Sequence, residues 1–377
     1  MYAIMVFMEK RFYYRWEQDD EWQRFTTGVS LHGHTWQSHE GLAFLPGAVQ
    51  KLYFLPRVLQ WAENRYQRKW KQPFDFERGY WTSPVSPEAA YQLEARQIEA
   101  QGLRPLVSIT DHDSIVAHKE LPALTPISLE WTVPYNGAVF HIGVHNLPGA
   151  EKNAVLESLA LYTTHPAPRT LRNILGQLHA MPDVLAILNH PLSDQGRIGF
   201  EIHAAVVREF LERYGHWIHA LEVNALQSWD INRRVAKIAQ EKNAPIVSGG
   251  DRHGFEPNGA INLTHAQTFA DFVHEIRGDR HSTVLFMPQA HRPLKLRYAE
   301  NIKAIMDDYP QLPGHVFWHD RVFYKCADGV TRSITELSGE NPIAAFGAMN
   351  LAINALGFAN FVARPINLIP SSSARIQ

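Results

Sequence analysis

The chain has 377 residues, of which 45% are hydrophobic and 20% are charged, a composition that excludes a disordered or collagen-like protein. Lys and Arg total 36 and Asp and Glu total 38, so the formal net charge of -2 provides no overall positive field to hold nucleic acid non-specifically. The single cysteine excludes an intramolecular disulfide framework and a cysteine-rich zinc module, whereas the 20 histidines point to imidazole chemistry or metal binding.

Along most of the chain, short segments rich in β-forming residues alternate with segments in which apolar residues recur at the spacing of an α-helix. Each of the β-forming segments ends in polar residues. The predicted strands are Gly28–His32, Leu106–Thr110, Ile127–Val133, Val139–Val144, Val184–Asn189, Ala220–Asn224, Pro245–Gly249 and Thr283–Met287. The predicted helices are Pro87–Gln101, Ala154–Thr163, Thr170–Met181, Glu201–Tyr214, Ile231–Lys242 and Ala270–Gly278. This alternation predicts an α/β fold with a mostly parallel sheet and crossover helices. The turn-like residues 134–137 predict a hairpin between two neighbouring strands, a local exception.

The remaining parts of the chain flank or interrupt this alternating region, which covers residues 27–290. Residues 1–26 precede it as an N-terminal extension. Residues 47–81 are rich in Trp, Arg and Lys and predict a mostly helical insertion over the strand ends. Residues 291–377 form a C-terminal extension, in which we expect a β-hairpin over His315–Leu337 and a helix over 341–361.

One segment of the C-terminal extension is long enough to span a bilayer, the uncharged run Ile343–Ala363. It contains Asn350, Asn354 and Asn360, which favour a half-buried surface helix over a lipid-facing one. The apolar start of the chain is only eight residues long, and its positive charges follow rather than precede it, unlike those of a secretory signal. We therefore expect a cytoplasmic protein that does not enter the membrane.

Histidines and carboxylates are concentrated at the ends of six predicted strands. Residues two apart in an extended segment point the same way, so His32 and His34 face one side together, as do Asp251 and His253. Imidazole and carboxylate are the ligands that suit zinc, iron or manganese, and a carboxylate can bridge two ions. Barrel and open α/β folds place their sites at the C-terminal ends of strands. The sequence therefore predicts a multinuclear metal site at this edge.

The succession of these groups resembles the polymerase-and-histidinol-phosphatase (PHP) family of phosphoesterases over about residues 27–290. The resemblance is carried by His32-x-His34-Thr35, Thr110-Asp111-His112, Glu130, His141, His190-Pro191 and Asp251-x-His253. It implies a distorted seven-stranded (β/α) barrel of PHP type with two or three divalent ions, zinc, manganese or iron, at its C-terminal mouth. In this chain the barrel would carry the helical insertion and the C-terminal extension.

The resemblance also implies a ligand set for each ion. The first ion would take His32, His34, Glu130 and Asp251. The second would share Glu130 and take His141 and His190, and the third would take His39, His112 and His253. Members of the family often have an acidic residue where this chain has His39, and another where it has Leu31. His145 remains the alternative to His141.

The resemblance implies a metal-dependent phosphoesterase that cleaves a phosphate ester by attack of a metal-bridging hydroxide. The expected substrate is a phosphomonoester of a small metabolite or nucleotide. Candidate acid–base or supporting groups are Asp111, Asp113 and His145, and Arg197 is the candidate cation for the substrate phosphate. The histidines outside this set have no ligand-like spacing and are expected at the surface or in hydrogen-bonded interior positions.

Three other functions remain open. A nuclease or phosphodiesterase acting on oligonucleotide ends would use the basic, Trp-rich insertion to stack bases, although the near-neutral charge of the chain disfavours nucleic acid as a partner. A catalytically inactive metal-binding scaffold would recruit partners through the C-terminal extension. A related barrel could also hydrolyse an amide or a lactone.

Overall fold

The computed structural model describes residues 11–43, 55–121, 123, 125–312, 314–338 and 375–376. The predicted helix over 341–361 and the apolar run Ile343–Ala363 lie outside these residues. No helix within the described ranges is long and apolar enough to cross a membrane.

Helices separate most of the strands between residue 79 and about residue 290, in partial agreement with the predicted alternation. The strands are β1 Phe12–Tyr14, β2 Thr27–Ser30, β3 Glu40–Gly41, β4 Gly79–Trp81, β5 Arg104–Val107, β6 Leu129–Tyr135, β7 Ala138–His145, β8 Leu185–Asn189, β9 Ala220–Asn224, β10 Ile246–Gly249, β11 Ala260–Thr264, β12 Thr283–Phe286, β13 Val322–Lys325 and β14 Thr331–Ser333. The α-helices are α1 Leu55–Trp70, α2 Pro87–Glu99, α3 Lys152–Thr164, α4 Pro168–Ala180, α5 Phe200–Tyr214, α6 Trp229–Glu241, α7 Phe269–His274, α8 Pro288–His291, α9 Leu294–Met306 and α10 Ile334–Ser338.

Two five-stranded sheets form the centre of the protein, with strand orders β1-β12-β11-β2-β5 and β10-β9-β8-β7-β6. Four of their eight strand pairings are antiparallel, so the prediction of a mostly parallel sheet is wrong. Two features cause the difference. The β6–β7 hairpin reverses β7, which therefore runs antiparallel to β8 as well. The unpredicted strand β11 also inserts antiparallel between β2 and β12.

The two sheets do not close into a barrel through continuous hydrogen-bonded ladders, so the predicted seven-stranded barrel is not shown. They meet instead at two isolated bridges, Gly33 with Arg252 and His112 with Glu130. The side chain of Asn262 on β11 adds a polar link, because it accepts a hydrogen bond from the backbone N–H of Ser248 and donates to the carbonyl of Val29. Both sheets therefore enclose one shared interior.

Strand alternation determines which side chains enter this interior and which face the helices. On β6, Leu129, Trp131 and Val133 are fully buried in the core beneath the helices, whereas Glu130 points the opposite way. The indole N–H of Trp131 donates to the hydroxyl of Thr163 on α3, which satisfies its one polar group. Complete burial of a side chain of this size contributes roughly 2–3 kcal/mol. This packing holds Glu130 in a fixed direction.

A third, four-stranded sheet joins the insertion to the C-terminal extension, with the order β14-β13-β4-β3. The predicted hairpin in the extension is present as β13 and β14, and β13 pairs antiparallel with β4. Helix α9 in the same extension was not predicted. The buried guanidinium of Arg321 ties these parts together by donating to the carbonyls of His315, Ile305 and Asp307. Through β3 this small sheet reaches the residues that follow His34.

Most histidines outside the predicted metal ligand set lie away from the two-sheet interior. One of them, His219, should make the free energy of unfolding depend on pH. His219 is 6% exposed, its Nδ1 accepts from the backbone N–H of Ala186, and burial together with Arg277 lowers its pKa to about 3. Because the folded pKa lies below the unfolded value, the contribution of His219 is fully present above pH 6.5 and is lost as the pH falls toward 3.

The free energy of unfolding should therefore fall by about 2 kcal/mol between pH 7.5 and pH 5 on account of His219. Urea denaturation of wild type and His219→Gln at both pH values measures this contribution as the difference between their pH dependences. The exposed His165 provides the matched control, His165→Gln. An unchanged pH dependence in His219→Gln would contradict the assignment.

Candidate metal centre

Nine side chains from separate parts of the chain converge at one end of the shared interior. They are His32, His34, Glu40, His112, Glu130, His141, His190, Asp251 and His253. Their nitrogen and oxygen atoms form four overlapping groups, and within each group the ligand atoms lie within 4.8 Å of one another. Six imidazoles and three carboxylates form a donor set that suits two or three divalent transition-metal ions.

Glu130 lies at the centre of the cluster. Its Oε1 is 3.0 Å from His32 Nε2, 3.4 Å from His141 Nδ1 and 3.3 Å from His190 Nε2. Its Oε2 is 3.4 Å from His34 Nε2 and 3.3 Å from His112 Nε2. Ligands about 2.0–2.1 Å from a tetrahedral ion are separated from each other by roughly 3.3 Å, which matches these distances. Both oxygens of Glu130 are therefore placed to bridge ions.

The reversed direction of β7 explains which of its histidines joins the cluster. His141 pairs with Asn189 at the C-terminal end of β8, whereas His145 pairs with Leu185 at the opposite end. Consequently His141 belongs to a ligand group with His112 and Glu130, and no group found among the described residues includes His145.

Three of the nine residues have left-handed backbone conformations. His32 has φ 62°, His190 has φ 27° and Asp251 has φ 49°. Non-glycine residues avoid this region, at a cost of roughly 1–2 kcal/mol per residue. His190 directly follows β8, and His32 and Asp251 lie two residues after the ends of β2 and β10. Strain concentrated at convergent polar side chains is typical of functional sites.

Buried polar atoms without a well-formed hydrogen bond show whether these residues suit a metal ion. His32 Nε2, His34 Nε2, Glu130 Oε2, His141 Nδ1 and His253 Nε2 are buried and make no hydrogen bond of acceptable geometry, although carboxylate oxygens lie 3.0–3.4 Å from the four ring nitrogens. A buried polar atom without a partner costs free energy, and few survive in folded proteins. Here five of them point into one cluster and are all metal-ligating atom types. The residues therefore fit divalent ions.

The structure brings Glu40, and not His39, into the third group of candidate ligands, together with His34, His112 and His253. Glu40 Oε2 lies 3.1 Å from His112 Nε2, and Glu40 Oε1 lies 3.1 Å from His253 Nε2. The ring of His39 instead stacks on Tyr80, with centroids 4.1 Å apart. The reason is the pairing of β3 with β4, which sets Glu40 opposite Trp81 and turns the preceding side chain outward. The acidic residue beside His39 in the sequence was the available signal.

The charges of the cluster compensate one another. Burial opposes ionisation of Glu130, but His32, His141 and His112 outweigh it and hold its pKa well below the usual range. Likewise burial opposes protonation of His112, yet Glu40 and Glu130 raise its pKa to about 10. In the metal-free protein, protonated imidazoles thus provide the positive charge that bound metal ions would otherwise provide. Binding of a cation therefore has to displace protons.

Glu222 at the end of β9 supports the cluster from behind. Its Oε2 accepts a hydrogen bond from His32 Nδ1 at 2.6 Å, and its Oε1 accepts from the side-chain amide of Asn224 at 2.8 Å. Gly249 makes this approach possible, since a Cβ at that position would lie 2.0 Å from Glu222 Oε2. A carboxylate behind a ligating imidazole fixes the ring and its tautomer. The position of Glu222 at a predicted strand end is compatible equally with an approach to the site and with capping of the following loop, and the structure places its carboxylate against His32.

The candidate acid–base and phosphate-binding residues lie outside the four ligand groups. Asp113 is exposed and accepts a hydrogen bond from the backbone N–H of Thr132. His145 is buried below the cluster, with its Nδ1 2.8 Å from the hydroxyl of Ser108. Arg197 is exposed on the loop after His190. Their proposed roles in catalysis remain predictions.

Asp111 has a clear supporting role next to the first histidine motif. Its Oδ1 accepts from the backbone N–H of Thr35 at 2.6 Å, and its Oδ2 accepts from the hydroxyl of Thr35 at 2.8 Å. Burial nevertheless raises its pKa to about 6. These two bonds fix the backbone directly after His34.

Replacing Glu222 with Gln should weaken metal binding by about 10–100-fold while leaving the fold intact. The amide keeps the shape of the side chain but lacks the negative charge that holds His32 Nδ1–H. Competition with a fluorescent chelator measures the affinity, and circular dichroism checks the fold. Glu201→Gln, at an exposed position on α5, is the matched control. Equal affinities for wild type and Glu222→Gln would contradict the supporting role.

Comparisons with known proteins are limited to weak structural likenesses. No family model matches the sequence, and no curated protein matches it. PsfC from Pseudomonas syringae PB-5123 is 16% identical, with a TM-score of 0.40, and covers 57% of this chain and 89% of its own. A sulfate-bound, metal-free amidohydrolase from Chromobacterium violaceum is 16% identical, with a TM-score of 0.32 and coverages of 46% and 84%. A candidate metal-dependent phosphoesterase from Bifidobacterium adolescentis is 17% identical, with a TM-score of 0.30 and coverages of 52% and 91%. At these identities and TM-scores the likenesses assign neither a family nor an activity to this chain.

Proposed function

We propose that this protein is a metal-dependent hydrolase that cleaves a phosphate ester, most simply a phosphomonoester of a small metabolite or nucleotide. The observation that carries the proposal is the set of buried, unpartnered ligand atoms around Glu130. Divalent ions held there would lower the pKa of water and neutralise the charge that develops on phosphoryl oxygens. The resemblance of the histidine and aspartate motifs to PHP phosphoesterases supports the phosphate ester as the substrate class.

The candidate ligands would hold metal ions at up to three positions. His32, His34 and Asp251 surround one position together with Glu130, and His141 and His190 surround a second on the Oε1 side. Glu40, His112 and His253 surround a third next to His34. Left-handed backbones at three of these residues persist only where the surrounding structure imposes them, which supports a site that is shaped before substrate binds.

The finer architecture belongs to the same proposal. We infer a distorted barrel of seven strands, which would be β2 and β5–β10. Two observations support it: the bridges at Gly33 and His112 lie at the two places where ladders between these strands are missing, and Val29, Ile187 and Val247 from both sheets share one core cluster.

Metal content and ester specificity test the function together. Protein purified without added metal should contain at least two equivalents of transition metal by elemental analysis. With manganese supplied, it should hydrolyse p-nitrophenyl phosphate faster than bis-p-nitrophenyl phosphate. Preference for the diester would indicate a phosphodiesterase or nuclease instead. Activity on neither ester by metal-loaded protein would reject the proposed reaction, and a metal content below one equivalent would reject the centre itself.

A further inference from the structure

A cavity beside the metal centre is formed by the C-terminal extension and the ends of two central strands. It is partly open to solvent and lies between helix α9, the loop after β10 and the residues that follow β9. Polar side chains on its wall include Arg252, Glu256, Asn258, Gln289, Arg297 and Asn301. None of them belongs to the metal ligand set, so the cavity has a chemistry of its own.

Arg297, in the first turn of α9, carries a buried positive charge that is not neutralised. The residue is 5% exposed. Its Nε donates to the carbonyl of Arg292 at 3.0 Å and its Nη2 to the carbonyl of Gln227 at 3.4 Å. Among the described residues no carboxylate lies within ion-pair distance of it, and burial lowers its pKa to about 10. A guanidinium has five N–H donors, so these two bonds leave both charge and donors available to a ligand.

The other charges on the wall are either paired or exposed to solvent. Arg252 is paired with the buried Glu94, whose Oε1 lies 3.0 Å from Arg252 Nε. Glu256 is exposed and lies 3.8 Å from Arg292, which pairs more closely with Glu300. The one buried charge on the wall without a counter-charge among the described residues is therefore positive and belongs to Arg297. A buried site of this kind favours an anion, because a buried charge is stable only when paired.

The cavity lies next to the proposed active site. Gly250 and Arg252 on its wall flank Asp251, one of the nine cluster residues. Tyr298, which follows Arg297, is close enough to Asp251 for that carboxylate to raise the tyrosine pKa in addition to the effect of burial. An anion bound at Arg297 would thus lie close to Asp251 and the proposed metal centre.

We propose that this cavity binds an anionic group, a phosphate or a carboxylate, through the guanidinium of Arg297. The group is either a second charge on the substrate, away from the scissile phosphate, or a free anion. The first source rests on the proposed function, and the second does not. Arginine suits this role because its planar fork matches the paired oxygens of both groups.

Thermal unfolding of the protein as purified tests the site without any need for turnover. Sodium sulfate in the low millimolar range, at ionic strength matched with sodium chloride, should raise the Tm of wild type saturably by a few degrees. The shift should disappear in Arg297→Gln. Arg292→Gln, which removes a neighbouring arginine already paired with Glu300, is the matched control and should retain it. If Arg297→Gln does not fold, Arg297→Lys should show the shift only at higher sulfate concentration.

Steady-state kinetics separate the two sources of the anion. The ratio of the KM for glycerol 3-phosphate to that for 3-phosphoglycerate, and the ratio for fructose 6-phosphate to fructose 1,6-bisphosphate, compare esters without and with a second anionic group. A change of about tenfold in either ratio in Arg297→Gln would assign the anion to the substrate. Loss of sulfate stabilisation with both ratios unchanged would assign a free anion.

The proposal would be overturned if the saturable increase in Tm with sulfate persisted in Arg297→Gln, or if wild type did not show it. The role of Arg297 would then be limited to its hydrogen bonds with the carbonyls of Arg292 and Gln227. Sulfate stabilisation in a protein that hydrolyses no phosphate ester would reject the proposed function and keep the anion site.

Discussion

Replacing Glu130 with Gln should leave fewer than one equivalent of bound transition metal and lower kcat by about 10³-fold or more. The amide has nearly the same shape, so packing around Trp131 on the opposite face of β6 should not change. It has no negative charge, however, and offers only one oxygen where the carboxylate presents two to the five surrounding imidazoles. Its NH₂ group would also face ring nitrogens that have to accept a cation.

The measurement is elemental analysis and p-nitrophenyl phosphate hydrolysis on protein prepared under the same conditions as wild type. Glu157→Gln makes the same chemical change at an exposed position on α3 and should keep both metal and rate. Far-ultraviolet circular dichroism excludes misfolding. If Glu130→Gln retained two equivalents of metal and full turnover, the ions would not be organised around Glu130, and the ligand assignment would fail.

Local patterns in the sequence were sufficient to predict most of this cluster, because each ligand depends on its own strand end. Leu129 and Trp131 are apolar and pack on the side of the sheet that the helices cover, so Glu130 between them faces the interior between the sheets. This alternation is visible in the sequence alone. Strand β9 was predicted at both of its ends, and β8 to within one residue. A mixed α/β fold, though not its strand directions, followed from the same alternation, since apolar runs and helix periods are local signals.

Features set by pairing between distant segments could not be predicted in this way. Strand β11 was missed because Asn262 interrupts its apolar run, and that side chain is buried only because it bonds to β2 and β10. Helix α9 was missed because its partner surface, the loop around Gly254, is known only after folding: a Cβ on Gly254 would lie 2.7 Å from Ala304. Helix α9 also contributes Arg297 and Asn301 to the cavity wall, so that cavity could not be predicted either.

The choice between His39 and Glu40 is the sharpest case, because one residue of register decides it. A histidine beside an acid offers two acceptable metal ligands, and the sequence around them does not distinguish the two. The antiparallel pairing of β3 with β4, some 40 residues later in the chain, directs Glu40 to the interior. A shift of one residue in a strand moves every side chain to the other face.

Two substitutions at these neighbouring positions should therefore have opposite outcomes. Glu40→Gln is expected to lose about one equivalent of metal and to lower kcat by about 10²-fold, since Glu40 oxygens lie 3.1 Å from both His112 and His253. His39→Ala should keep its metal and most of its rate, because that ring stacks on Tyr80 rather than facing the cluster. Elemental analysis and kcat with manganese supplied measure both effects.

The reverse result, metal lost in His39→Ala and kept in Glu40→Gln, would show that β3 pairs with β4 in the other register in solution. A third substitution, Tyr80→Ala, separates register from ligation. It removes the surface on which His39 stacks but leaves the backbone pairing of Gly41 with residue 80 possible. Retained metal in Tyr80→Ala would mean that the ladder between β3 and β4 fixes Glu40 without help from the stacked rings. Loss of metal would mean that the aromatic contact between His39 and Tyr80 selects the register. Because Phe323 of the C-terminal extension stacks on Tyr80, that extension would then be required to position the third group of candidate ligands.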